Sequence, residues 1–138
     1  MSRRDLFHEL VKQALSRSGW TITDDPLYLS IGNVNLQIDL AAEPLIAAEK
    51  EEQKIAIEIK SFVNVSQITS FYGALGQYLT YQVALKMQEP DRQLYLAIPT
   101  VTYESLFQEP LIQEILRNYP IKLIVYHKFN QEIQSWID

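Results

Sequence analysis

The sequence predicts an α/β domain, a mixed central β-sheet flanked by helices on both faces. Three observations lead there. Helical and strand-like segments alternate in the order α-β-β-β-β-α-β-α-β-β, hairpins first and helical crossovers after. One segment, KIAIEIKSF, carries Ile55, Ile57 and Ile59 on one face and Ala56, Glu58 and Lys60 on the other, and a strand this apolar is expected centrally in a sheet. The 138 residues, 47% of them hydrophobic and 21% charged, fit one compact domain and are too few for two separate cores.

The elements follow from spacing. Residues 5–18 form a helix because Leu6, Phe7, Leu10, Val11, Ala14 and Leu15 recur at helical intervals on one face. Ser2 is its expected N-cap, with Asp5 three residues on, and Gly19 stands where the helix should stop. Leu27–Ile31 reads as a short strand, followed by a Gly32-Asn33 turn. Val34, Leu36, Ile38 and Leu40 then alternate with Asn35, Gln37 and Asp39, the period of a strand with one buried face. Leu45–Glu49 and Lys54–Phe62 are strands joined by a charged turn, Lys50 to Gln53.

Ser66 opens a long helix reaching about Met87. Its wheel places Ile68, Phe71, Tyr72, Leu75, Tyr78 and Leu79 on a bulky side and Ser70, Gly73, Ala74, Gln77, Tyr81 and Ala84 on a smaller one, and both sides are expected to be covered. Glu89-Pro90-Asp91 is a break. Gln93–Ile98 is a strand ended by Pro99, Tyr103–Phe107 and Leu111–Asn118 are short helices parted at Pro110, and Ile121–Tyr126 and Ile133–Ile137 are the last strands.

Composition narrows the chemistry. The absence of cysteine removes disulfides, thiolate catalysis and thiolate metal sites. Two distant histidines, His8 and His127, make no His-rich metal site. Apolar runs of about half a dozen residues fall short of the ~20 a membrane helix needs, and the N-terminus is not expected to be a secretory signal. A cytoplasmic protein without membrane contact is the expectation. The net charge of −5 argues against strong unaided grip on nucleic acid, although Arg3, Arg4, Lys12 and Arg17 make the first helix modestly basic.

The informative constellation is Asp39 followed by Glu58-Ile59-Lys60. Glu58 and Lys60 are two residues apart in a strand and point the same way, while Ile55, Ile57 and Ile59 fill the other face. The hairpin between them can fold Glu58 back beside Asp39. Two such carboxylates, with the Ile59 carbonyl, suit Mg²⁺ or Mn²⁺, which take hard oxygen ligands. Lys60 would then stabilise charge developing on a phosphate or its attacking water. The plainer reading of Glu58 and Lys60 is an ion pair on an edge strand.

This set resembles the signature of the PD-(D/E)xK nucleases: an acid, a hairpin, then Glu-x-Lys in the next strand. Ile38 stands where that pattern has Pro. Gln77-Tyr78-Leu79-Thr80-Tyr81 resembles the Gln-x3-Tyr element of RecB-type members, with Gln77 and Tyr81 on one helix face. The resemblance implies that Gln77 orients the site, that Tyr81 contacts nucleic acid, and that Glu9 of the first helix is the candidate auxiliary acid. Glu9 points away from its helix's apolar face. Gln77 and Tyr81 equally suit a buried polar pair or a self-association surface, and tyrosines 72, 78 and 81 would suit a protein interface.

A longer resemblance runs through DPLYLSIGN, IDLAAEPLIAAEKEEQKIAIEIKSF, ALGQYLTYQ, EPDRQLYLAIP and IKLIVY, which are similar to the XisH family of fdxN element excision controlling factors. It implies a restriction-endonuclease-like fold over residues 1–138, a role in site-specific DNA excision, and an XisI family companion. Two functions follow as expectations. One is an accessory factor with a metal site that hydrolyses or binds DNA. The other is a non-enzymatic adaptor that binds a partner protein, or a second copy of itself as a homo-oligomer, and steers a recombinase.

Overall fold

The computed structural model describes residues 3–36, 45–62 and 66–138. Helix α1 spans Arg3–Arg17. It ends as its spacing predicts, at a turn where Gly19 takes φ +94°, a left-handed conformation that glycine adopts without strain. A Cβ there would also press on the Lys50 side chain at 3.3 Å, whose ammonium donates to the Ser18 carbonyl at 2.8 Å. The expected Ser2 cap lies outside the described residues.

Six strands form one sheet in the order β1-β4-β5-β6-β7-β8 among the described residues. They are β1 Thr21–Asp24, β4 Leu45–Lys50, β5 Gln53–Ile59, β6 Arg92–Pro99, β7 Leu123–His127 and β8 Glu132–Ile137. The β5–β6 and β6–β7 pairings are parallel and the other three antiparallel, so the sheet is mixed. A separate two-stranded ribbon joins β2 Ser30–Ile31 to β3 Val34–Asn35. Helix α2, Gln67–Gln88, makes the first parallel crossover. Helix α3 Thr100–Glu104, a 3₁₀ turn Leu106–Gln108 and helix α4 Pro110–Asn118 make the second.

The sheet separates two cores. On one face α1 covers Ile46, Ile55, Ile57, Ile59 and Ile124 with Val11, Leu15 and Trp20. On the other, α2, the 3₁₀ turn and α4 cover Leu45, Ala56, Leu96 and Leu123 with Phe71, Tyr78, Phe107 and Ile112. Central placement of β5 between β4 and β6 agrees with its two-sided burial. At the opposite end of the strands from α2's start, the buried Arg92 guanidinium donates to the Ile55 carbonyl at 3.0 Å and to Glu89 at 3.2 Å. This satisfies a charge that would otherwise be costly to bury.

Four sequence expectations are corrected. The strand read at 27–31 contracts to Ser30–Ile31, and β1 at Thr21–Asp24 was not foreseen. TITD is polar at an exposed edge, so it lacks the apolar alternation that marks a strand. In the alternating run 34–40 the strand covers Val34–Asn35 and turns at Leu36, while 37–40 lie outside the described residues. The helix placed at 103–107 starts earlier, directly after Pro99. Most instructive is α2. Its buried stripe is Ser70, Phe71, Ala74, Tyr78, Tyr81, Ala84 and Leu85, which straddles the two sides of the predicted wheel. Ile68, Tyr72 and Leu79 of the bulky side remain exposed.

Candidate functional site

Strand β5 carries the predicted Glu-x-Lys. Because successive side chains alternate, the three isoleucines face α1, and Glu58 follows Ala56 onto the α2 face. Glu58 lies between Leu45 of β4 and Leu96 of β6 in register and is 1% exposed. The edge-strand placement is therefore overturned for Glu58: it is a central-strand carboxylate inside the α2-side core. Ile59 is 1% exposed with its side chain in the α1-side core, so only its backbone carbonyl could serve a metal.

Lys60 is half-buried just beyond the strand, where its N–H donates to the Ala97 carbonyl at 2.9 Å and continues the β5–β6 ladder. Phe62 takes φ +56°, a strained backbone for a bulky side chain. Its buried ring packs edge-on against Phe107 at 5.9 Å, and this contact holds that backbone conformation in place.

Tyr78 is the residue that sequence reasoning missed. Its hydroxyl donates to the Leu94 carbonyl at 3.0 Å and accepts the Lys122 N–H at 3.1 Å, pinning α2 across β6 and β7. Burial pushes its phenol up; the Lys122 N–H opposes this and the nearby Glu58 charge adds to it. Its position beside Gln77 was visible in the sequence. Its contact with Glu58's surroundings was not, since this depends on how α2 rolls on the sheet.

The remaining predicted site residues divide. Gln77 is half-buried on the flank of the α2 stripe. Tyr81 is 4% exposed and packed in the core, so nucleic acid does not reach it in this arrangement. Glu9 is exposed on α1, across the sheet from Glu58, and pairs with Lys12 at 3.5 Å. It does line a cleft of about 830 Å³ together with Ser61 and Phe62, the residues that follow Lys60. This cleft sits at the carboxyl ends of the parallel strands β5 and β6, where open α/β sheets place ligands. Asp39 lies outside the described residues. Among the described residues no group of three His, Asp or Glu side chains is gathered as a metal site. The donor set that remains, the Glu58 carboxylate and the Ile59 carbonyl, consists of hard oxygens and fits Mg²⁺ or Mn²⁺ in kind.

Among the described side chains of the first helix, Lys12 is neutralised by acids. Lys12 reaches Asp25 at 2.6 Å, and His8 donates to the same carboxylate at 2.8 Å. Arg17 donates to the Gln131 carbonyl. Burial pushes the Asp25 carboxyl up, but Lys12 and His8 outweigh it and hold it below its ordinary value.

A family model described as XisH protein matches residues 1–134. The chain belongs to the XisH family. Among solved structures, it is similar to a fdxN element excision controlling factor protein from Anabaena variabilis. That match has a TM-score of 0.89 and 48% identity, covering 97% of this chain and 99% of the other. An XisH family protein from Nostoc punctiforme matches with a TM-score of 0.90 and 44% identity, over 97% of this chain and 100% of the other. A search of curated proteins finds no match. Among the described residues no helix is long and apolar enough to cross a membrane.

Proposed function

We propose that this XisH family chain is an accessory factor controlling excision of a DNA element, with a nuclease-like, metal-binding end to strand β5. The observation that carries the reading is the placement of Glu58-Ile59-Lys60. A carboxylate is buried in the central strand, with a lysine two residues on at the strand's end. Burying a charge there is expensive, and a strand made for packing alone would hold an apolar side chain at that position. The 48% identity to a fdxN element excision controlling factor supports the wider role.

Asp39, Glu58 and the Ile59 carbonyl would hold Mg²⁺ or Mn²⁺, which supplies an acidified water and a positive charge against phosphate oxygens. Lys60 would offset charge on the phosphate, and Gln77 would orient the carboxylates. The test is metal-dependent nicking of linear and branched DNA by wild type, Glu58→Gln and Lys60→Ala. The expected result is activity in wild type and loss to background in both variants. Equal cleavage by all three would mark a contaminant and end the hydrolytic reading.

The adaptor reading is favoured by one observation, the net charge of −5. Under that reading the chain acts through an XisI family partner. DNA retention by the mixture, and by neither protein alone, is its expected signature.

A further inference from the structure

Helix α2 bears an apolar stripe on its outer side that nothing in the described structure covers. Ile68, Tyr72, Leu79, Val83 and Met87 are exposed by 36, 61, 37, 59 and 65%. Gly76 is exposed among them, and a Cβ there would meet nothing within 4 Å. On a helix, residues three and four apart share a face. Positions 68, 72, 76, 79, 83 and 87 are therefore one continuous face, the one opposite the buried Phe71-Tyr78-Leu85 stripe.

The order of these positions has a symmetry. Their separations are four, four, three, four and four residues, the same in both directions. Laid antiparallel on a second copy, with a two-fold axis between Gln77 and Tyr78, the face meets itself in register. Ile68 falls opposite Met87, Tyr72 opposite Val83, and Gly76 opposite Leu79. Large residues face large ones towards the ends. At the centre the leucine of each copy meets the glycine gap of the other, which lets the backbones approach. An interface of this kind is self-complementary, as two-fold symmetry requires.

Charge selects the same occupant. Lys86 is the only charged residue of the 22-residue helix, and in this register it falls opposite Thr69 rather than another lysine. The face therefore carries a single positive charge at its rim, too little to select a charged foreign partner. The face is modest in size. At ~1.5 Å per residue the helix is about 33 Å long and about 10 Å across, and a face on that scale is in the ~300–600 Å² range of the largest apolar patch on a monomer. That is below the ~800 Å² per partner of a standard interface, which fits a weak dimer formed at high chain concentration.

We infer that α2 is a homodimerisation helix, pairing antiparallel with α2 of a second copy about a two-fold axis at residues 77–78. The chain has no cysteine, so single-cysteine variants report the register directly. Sedimentation equilibrium of the full chain at about 100 µM should show twice the chain mass, and Val83→Asp should weaken association at least tenfold with the far-UV spectrum unchanged. Tyr72→Asp, at a second exposed position, should do the same, which guards against a local folding defect at residue 83. In a mixture of Tyr72→Cys and Val83→Cys chains, a short bis-maleimide should link the two variants efficiently. Tyr72→Cys alone should link poorly, because its two copies would lie about 16 Å apart along the axis at ~1.5 Å per residue. Sodium sulfate should strengthen the dimer, since salt of that kind favours apolar burial. A chain that stays monomeric at this concentration overturns the proposal, even if another protein is later found on the stripe. So does a dimer that Val83→Asp and Tyr72→Asp leave intact, or one whose Tyr72→Cys chains cross-link to each other as well as to Val83→Cys.

Discussion

The two faces of β5 obey different rules. Towards α1 it presents Ile55, Ile57 and Ile59, each at most 3% exposed, in a core of aliphatic and aromatic side chains. Towards α2 it presents Ala56 and Glu58, then Lys60 at the strand's end, beneath a helix whose Tyr78 hydroxyl is bound to two backbone groups. One face maximises apolar burial, the other places a carboxylate where apolar burial would have been simpler. The difference teaches that β5 is a structural strand read from one side and a candidate chemical site read from the other.

Neighbouring residues should therefore respond unequally to substitution. Ile57→Ala should cost ~2–5 kcal/mol, because it removes transfer free energy and leaves a cavity; urea unfolding measures it. Glu58→Met should cost less than Ile57→Ala, because a flexible apolar chain of similar length fills the same space, while abolishing metal-dependent nicking. If Glu58→Met costs as much as Ile57→Ala, the carboxylate belongs to the fold and the contrast between the faces fails. Tyr78→Phe should cost ~1–3 kcal/mol by taking the hydroxyl from the Leu94 carbonyl and the Lys122 N–H, which a thermal scan detects.

The α1 side has its own titration. Burial first, and then the hydrogen bond Tyr95 donates to Asp138 at 2.9 Å, push the Tyr95 phenol up to about 12. Its unfolded value is about 10. The folded state thus keeps the proton longer, and the resulting stability is complete below about pH 10 and lost as pH rises through about 12. Tyr95→Phe should flatten stability across that window. The smallest effect should come from Asp25, whose depressed carboxyl adds stability above its unfolded value that is lost as pH falls through its lower folded value. Asp25→Asn should cost ~0.2–1 kcal/mol near neutral pH, less in high salt, since the pair is near the surface.

Much of the molecule was legible. α1, the β4–β5 hairpin, the α2 span and the later strands follow from periodicities that local sterics impose on any chain, and the Glu-x-Lys pair followed from alternation alone. β1 was not legible, because an exposed edge strand needs no apolar pattern and gains its hydrogen bonds from β4. The site was legible only in part. Glu58 and Lys60 could be assigned to one face of a strand, but nothing local says which helix that face meets or places Tyr78 beside it.

Spacing by itself determined that Glu58 opposes the isoleucines and that α2 is helical. Tertiary structure alone decided that Glu58 is inside the protein, that Tyr81 is core, that Glu9 shares a cleft with Ser61 and Phe62, and that Ile68, Tyr72 and Leu79 stay uncovered. The physical reason is that a helix with apolar residues on more than one side has several nearly equivalent ways to lie on a sheet. The packing of whole side chains, Tyr78 over β6 and β7 among them, selects one.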